Sequence, residues 1–211
     1  MKRKGVRVAA AAGAWTALAG LGWFAAARMA TALARRRGAE LQRWRWLHEL
    51  LPLHLHRFLL VTAGVDESVP ALRSVLAPAR GLVVDVIAHR RAVVSLLRPE
   101  TVRVIPARPE SLPGRPGSVD VVIAIFAAHE LRDQREREAL FTESRRLLAD
   151  GGRMVLVEQH RTLRTLAALG PGALHFYPSG EWRRAAALAG LQVVATRQVG
   201  PFVTGWALTA A

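Results

Sequence analysis

The chain has 211 residues, 51% hydrophobic and 22% charged, with no cysteine; this suits one α/β domain with an appendage and excludes two ordinary domains, a disordered chain and any disulfide. Its net charge of +14 is uneven: residues 1–45 hold ten of the thirty Lys and Arg against one acid, Glu40, leaving twenty bases and fifteen acids over the other 166 residues. A basic excess beside an apolar stretch points to lipid headgroups, and with no recognised nucleic-acid motif in the chain, no nucleic-acid partner is expected.

In chain order, Val8 to Ala27 comes first: twenty residues without a charge, the length that spans a hydrocarbon core as a helix. It predicts a single N-terminal transmembrane anchor over 1–37 and a membrane location. The competing readings are a secretory signal peptide, with Ala25-Ala26-Ala27 as the cleavage site, and an in-plane helix, for which the stretch lacks a polar face. Ala9, Gly13, Ala17 and Gly20 gather small side chains on one stripe, which would let a transmembrane helix of another subunit approach closely. Lys2, Arg3, Lys4 and Arg7 precede the span, while Arg28, Arg35, Arg36 and Arg37 follow it with Glu40. That balance slightly favours an extracytoplasmic side for the rest of the chain.

Leu41, Trp44, Leu47, His48 and Leu51 recur at helical spacing and Pro52 stops the run, predicting an amphipathic connecting helix within 38–56. Trp44 and Trp46 beside Arg43 and Arg45 suit either a membrane interface or a helix packed on the following domain. His54-Leu55-His56 lacks a third ligand, so no metal site is expected.

The remainder, 57–211, alternates strands and helices. Arg57 to Ala63 predicts a strand, Ser68 to Leu76 a helix, Gly81 to Val86 a second strand and Val102 to Ile105 a third. Val119 to Ile125 is rich in β-branched residues and has no polar alternation, as expected of a strand covered on both faces. Asp133 is placed to cap a helix, with Glu136 closing a capping box, and Asp150-Gly151-Gly152 is placed to end it. Met154 to Glu158 predicts a buried strand, Gln159 to Leu169 a short helix, and Ser179 to Leu188 another. Leu191 to Val199 and Phe202 to Thr209, joined by Gly200-Pro201, predict antiparallel neighbours.

His129-Glu130-Leu131 after a buried strand, followed by Leu148-Ala149-Asp150-Gly151-Gly152-Arg153-Met154-Val155-Leu156-Val157-Glu158, resembles the second half of class I S-adenosylmethionine (SAM) dependent methyltransferases, the small-molecule quinone and lipid methylases in particular. The resemblance extends from about Arg57 to Ala211. It implies an α/β fold, a Rossmann-like doubly wound seven-stranded sheet with a terminal antiparallel hairpin, here preceded by the transmembrane helix. It also implies SAM as cofactor if the chain is active. The family's glycine-rich cofactor loop falls on Val61-Thr62-Ala63-Gly64-Val65-Asp66-Glu67, where only Gly64 survives and the expected acid is Val61 or Thr62. Asp85 stands at the family's ribose-binding acid, and Glu130 falls at the same pocket. The family's adenine-contacting acid falls on Arg108, a donor where an acceptor is needed.

If catalysis exists, His129 is the candidate base and His175 and Tyr177 the candidate acceptor contacts. Two readings follow. One is a membrane-anchored, catalytically degenerate methyltransferase-fold protein serving as an accessory or structural subunit of a membrane complex. The other is an active SAM-dependent methyltransferase on a membrane-associated quinone, pigment or lipid.

Overall fold

The computed structural model describes residues 44–64, 68–88 and 103–211. The predicted span Val8 to Ala27, the small-residue stripe and Asp66-Glu67 lie outside these residues. Among the described residues no helix is long and apolar enough to cross a membrane.

Seven strands form one sheet. They are β1 (Arg57–Thr62), β2 (Arg80–Asp85), β3 (Val104–Pro106), β4 (Val119–Ile125), β5 (Leu148–Gln159), β6 (Leu191–Val199) and β7 (Val203–Ala210), in the spatial order β3-β2-β1-β4-β5-β7-β6. The first five run parallel, whereas β7 pairs antiparallel with both β5 and β6. The order reverses between β1 and β4, which creates a crevice at the carboxyl ends of the strands where ligands bind in open α/β sheets. The doubly wound sheet and its terminal hairpin are as the sequence predicts.

Helices α1 (Val69–Leu76), α2 (Gln134–Leu147), α3 (Leu163–Leu169) and α4 (Ser179–Leu188) complete the described elements. On one face of the sheet, Leu140, Phe141 and Leu147 of α2 and Trp182 and Ala185 of α4 bury themselves against Leu59, Val122, Ala124 and Leu156. On the other, Leu72 and Leu76 of α1 cover Leu60, Val83 and Ile123. Both faces of β1 and β4 are therefore apolar over Phe58–Val61 and Val121–Ile125, which explains the hydrophobic runs there. Each such buried side chain contributes about 1.5–3 kcal/mol relative to exposure.

Three local predictions are altered. Residues 45–49 form a 3-10 turn, not a longer amphipathic helix, and Trp44 and Trp46 are buried with Leu47, Leu50 and Leu51 on the α1 face of the sheet. The turn fits because β7 presents Gly205 beneath it: a Cβ there would stand 2.6 Å from Leu50 Cδ1. Arg153 of β5 fastens the segment by donating to the carbonyls of Leu50 and Leu51.

Second, α2 stops at Leu147 without glycine, and β5 starts at Leu148. Gly151, with φ of 75°, and Gly152 lie within β5, where its register with β4 shifts from Val119↔Leu148 to Val121↔Arg153. A Cβ on Gly152 would lie 2.9 Å from the carbonyl oxygen of Ala149 and 3.1 Å from that of Asp120, so the pair serves a tight irregularity inside the strand.

Third, Asp133 caps α2 through the amide of Arg135, while the reciprocal capping box is found at α3, between Thr162 and Thr165. At the sheet edge, β6 carries one extra residue, Val194, between the pairs Val193↔Leu208 and Ala195↔Ala207.

Candidate functional site

The site grows from the carboxyl ends of β4 and β5. Phe126, directly after β4, takes a left-handed backbone with φ of 50° and donates its amide to the Val157 carbonyl. The chain then turns through the 3-10 segment Ala128–Glu130. Beneath that turn lies Glu158, the last residue but one of β5, whose side chain has no exposed surface. Glu158 Oε1 accepts the amides of Ala128 at 2.9 Å and His129 at 3.2 Å, and Oε2 lies 2.8 Å from His129 Nδ1. One buried carboxylate thus holds both the backbone and the ring of His129. The partnership puts the Nδ1 proton toward Glu158 and aims Nε2 away from it.

Burial opposes a charge on the His129 ring, but the hydrogen bond and charge of Glu158, with the charge of Glu130, outweigh it and raise the imidazole above its ordinary pKa. Burial also lifts Glu158, against the pull of His129 and the two amides.

Glu130 and His175 complete the cluster. Glu130 Oε1 lies 3.5 Å from His129 Nε2 and 3.6 Å from His175 Nε2, and the two imidazoles meet edge-on with centroids 5.3 Å apart. Phe176 lies edge-on to both rings. The exposed guanidinium of Arg132 rests against the His175 ring and donates to its carbonyl at 3.0 Å.

The predicted candidates therefore divide. His129, Glu130 and His175 converge. Tyr177 is engaged by other groups: its ring lies under the Arg137 guanidinium at 4.0 Å and edge-on to Trp182. Arg137 is itself buried, bonding Glu181 through Nε and Nη2 and the carbonyls of Leu131 and Arg132 through Nη1. It ties α2, α4 and the site turn together.

Gly64 and Asp85 meet each other. Asp85, only 1% exposed, accepts the amides of Gly64 at 3.1 Å and Ile87 at 3.0 Å on Oδ1. Thr62 is buried alongside, its hydroxyl donating to the Val84 carbonyl. Arg108 follows β3 in a loop secured by Leu112, whose amide donates to Glu143 and whose carbonyl accepts from Arg146. Its side chain is exposed, 3.8 Å from Glu110.

Sequence reasoning names Glu130 for a cofactor pocket, whereas the structure places it between two imidazoles. The orienting role of Glu158 is the functional feature that spacing does not give. The residue itself is visible in the sequence as the acid that closes the Leu148–Glu158 motif after the apolar run Met154–Val157.

This strand order, with its site at the carboxyl edge, defines a Rossmann-like methyltransferase fold. Residues 59–156 match the family described as methyltransferase domain. A SAM-dependent methyltransferase from Aquifex aeolicus is similar in structure, at 18% identity and a TM-score of 0.61 over 85% of this chain and 97% of that one. An O-methyltransferase from neocarzinostatin biosynthesis, solved with SAM and a methylnaphthoic acid, is similar at 20% identity and a TM-score of 0.52, over 74% of this chain and 49% of that one. A putative methyltransferase solved with the Trm112 activator of Haloferax volcanii is similar at 18% identity and a TM-score of 0.58, over 85% of this chain and 94% of that one. No curated protein matches the chain. The chain thus carries a methyltransferase-domain match over residues 59–156 and shares the fold of SAM-dependent methyltransferases.

Proposed function

We propose that this chain keeps the methyltransferase fold without SAM binding and serves as a membrane-anchored accessory subunit. The observation that carries the reading is Asp85: the acid that the resemblance assigns to the cofactor ribose is shut from solvent and bonded inward to the amides of Gly64 and Ile87. Two neighbours support it. Thr62, one of the two positions where the family's acid is expected, carries a neutral hydroxyl bonded to the Val84 carbonyl, and Arg108 offers a cation where adenine needs an acceptor. On this reading Asp85, Thr62 and Arg108 suit the cofactor poorly, and no chemical step is assigned through it.

The anchor is Val8 to Ala27, the partner a transmembrane helix of another subunit meeting the small-residue stripe, and the domain stands on the extracytoplasmic side. Support for these comes from the charge balance and composition of residues 1–45. Titration of the full chain in mild detergent with SAM should give no saturable heat. Micromolar binding would overturn the reading. A reporter fused after Ala211 should read out outside the cytoplasm, and a cytoplasmic signal would remove the proposed sidedness.

One observation favours the second reading, an active methyltransferase on a quinone, pigment or lipid. The Glu158 to His129 contact leaves Nε2 directed away from the carboxylate, the arrangement of a proton acceptor held by an orienting acid. In that reading His129 is the base and His175 contacts the acceptor. Transfer of label from SAM to a membrane extract, lost in His129→Ala, would establish it.

A further inference from the structure

We infer that His129, Glu130 and His175 form a binding site for a divalent transition-metal ion of the zinc class, a function separate from SAM binding. Each residue offers one ligand atom, and the three atoms all lie within 4.8 Å of one another. Two of the separations, 3.5 and 3.6 Å, are close to the distance of about 3.3 Å between donors of a tetrahedral ion with bonds near 2.0–2.1 Å. Small rotations of Glu130 and of the half-exposed His175 close that difference. Two imidazoles and one carboxylate suit zinc, cobalt, nickel or iron(II), whereas magnesium and calcium require oxygen ligands throughout.

The independent support lies beneath the cluster. Ligating histidines generally donate their other ring N–H to a carboxylate, which fixes the tautomer and the ring orientation. Glu158 does this for His129 at 2.8 Å, and it is buried and bonded to two backbone amides, so it cannot itself turn outward to ligate. Phe176 packs against both rings and restricts their rotation. Three protein donors leave a fourth position for water or another ligand, as in open zinc sites. Among the described residues, Arg132 opposes the site. Its guanidinium lies on the His175 ring and must swing into the solvent that already surrounds it.

The test is zinc titration of the full chain in detergent by calorimetry, with cobalt absorption as the spectroscopic reading. One zinc ion should bind per chain, and cobalt should give tetrahedral visible bands. His129→Ala and His175→Ala should each abolish both signals, whereas His54→Ala/His56→Ala should leave them unchanged. Glu158→Gln should weaken affinity by roughly 10–100-fold through the outer shell. Because the His175 side chain is 45% exposed, its replacement leaves the core intact and remains informative if the Glu158 variant fails to fold. Absence of binding, or binding that survives both single-histidine variants, overturns the inference. The SAM titration is unaffected by either outcome, so failure of one reading does not imply failure of the other.

Discussion

Glu158 and His129 bind protons more tightly in the fold than in the unfolded chain, so their contribution to stability must fall as pH rises. For His129 the contribution is complete below its ordinary value of 6.5 and is lost as pH climbs through the raised one. Melting temperature measured from about pH 6 to about pH 9 should drop more steeply for the natural chain than for His129→Gln. Parallel curves would show that the pair adds nothing. Arg137 calls for a different measurement. It is 5% exposed and satisfies Glu181 and two carbonyls at once, so Arg137→Met strips both carbonyls of this donor and leaves Glu181 with Arg184 at 3.7 Å. Chemical denaturation should register a loss of about 3–5 kcal/mol, the usual cost of breaking a buried pair. The histidines were legible as candidates because polar groups after apolar strands are conspicuous. Their convergence was not, since His129 and His175 lie 46 positions apart in the numbering and meet only after α2, β5 and α3 have folded.

At the scale of the element, periodicity located the strands well because burial on both faces leaves unbroken apolar runs. Boundaries were harder. Gly151-Gly152 was read as a helix stop, since glycine commonly supplies one, but here the helix ends on Leu147 and the glycines accommodate crowding between β4 and β5. Gly152→Ala tests that distinction. Its Cβ would meet backbone oxygens on two sides, so the substitution should destabilise by about 1–3 kcal/mol, whereas replacing a plain C-cap glycine at positive φ would act through backbone strain instead. The tryptophans at 44 and 46 are ambiguous for a related reason: an indole suits a lipid interface and a domain core alike, and only their close packing on the sheet, with Trp46 and Leu50 seated over Gly205, decides between them.

For the molecule as a whole, the segment from Trp44 to Leu51 is part of the sheet's cover. Trp46→Ala should therefore cost about 3–5 kcal/mol in global unfolding, as a large buried aromatic does, and not merely loosen a peripheral linker. A local transition without loss of global stability would show the segment to be dispensable. The charge pattern, by contrast, carries information about surroundings that no internal contact records.

The odd residue in the last-but-one strand has its own implication. Among the described residues β6 closes the sheet with an unpaired rim, and Val193 and Val194 show 40% and 48% of their surface there. An apolar rim of that kind invites a neighbouring molecule to add on, and a local break in regularity is one way natural sheets discourage it. Deleting Val194 would restore an uninterrupted ladder without altering which residues face each other on either side. Light scattering should then rise with protein concentration, so the irregularity acts as a safeguard of solubility.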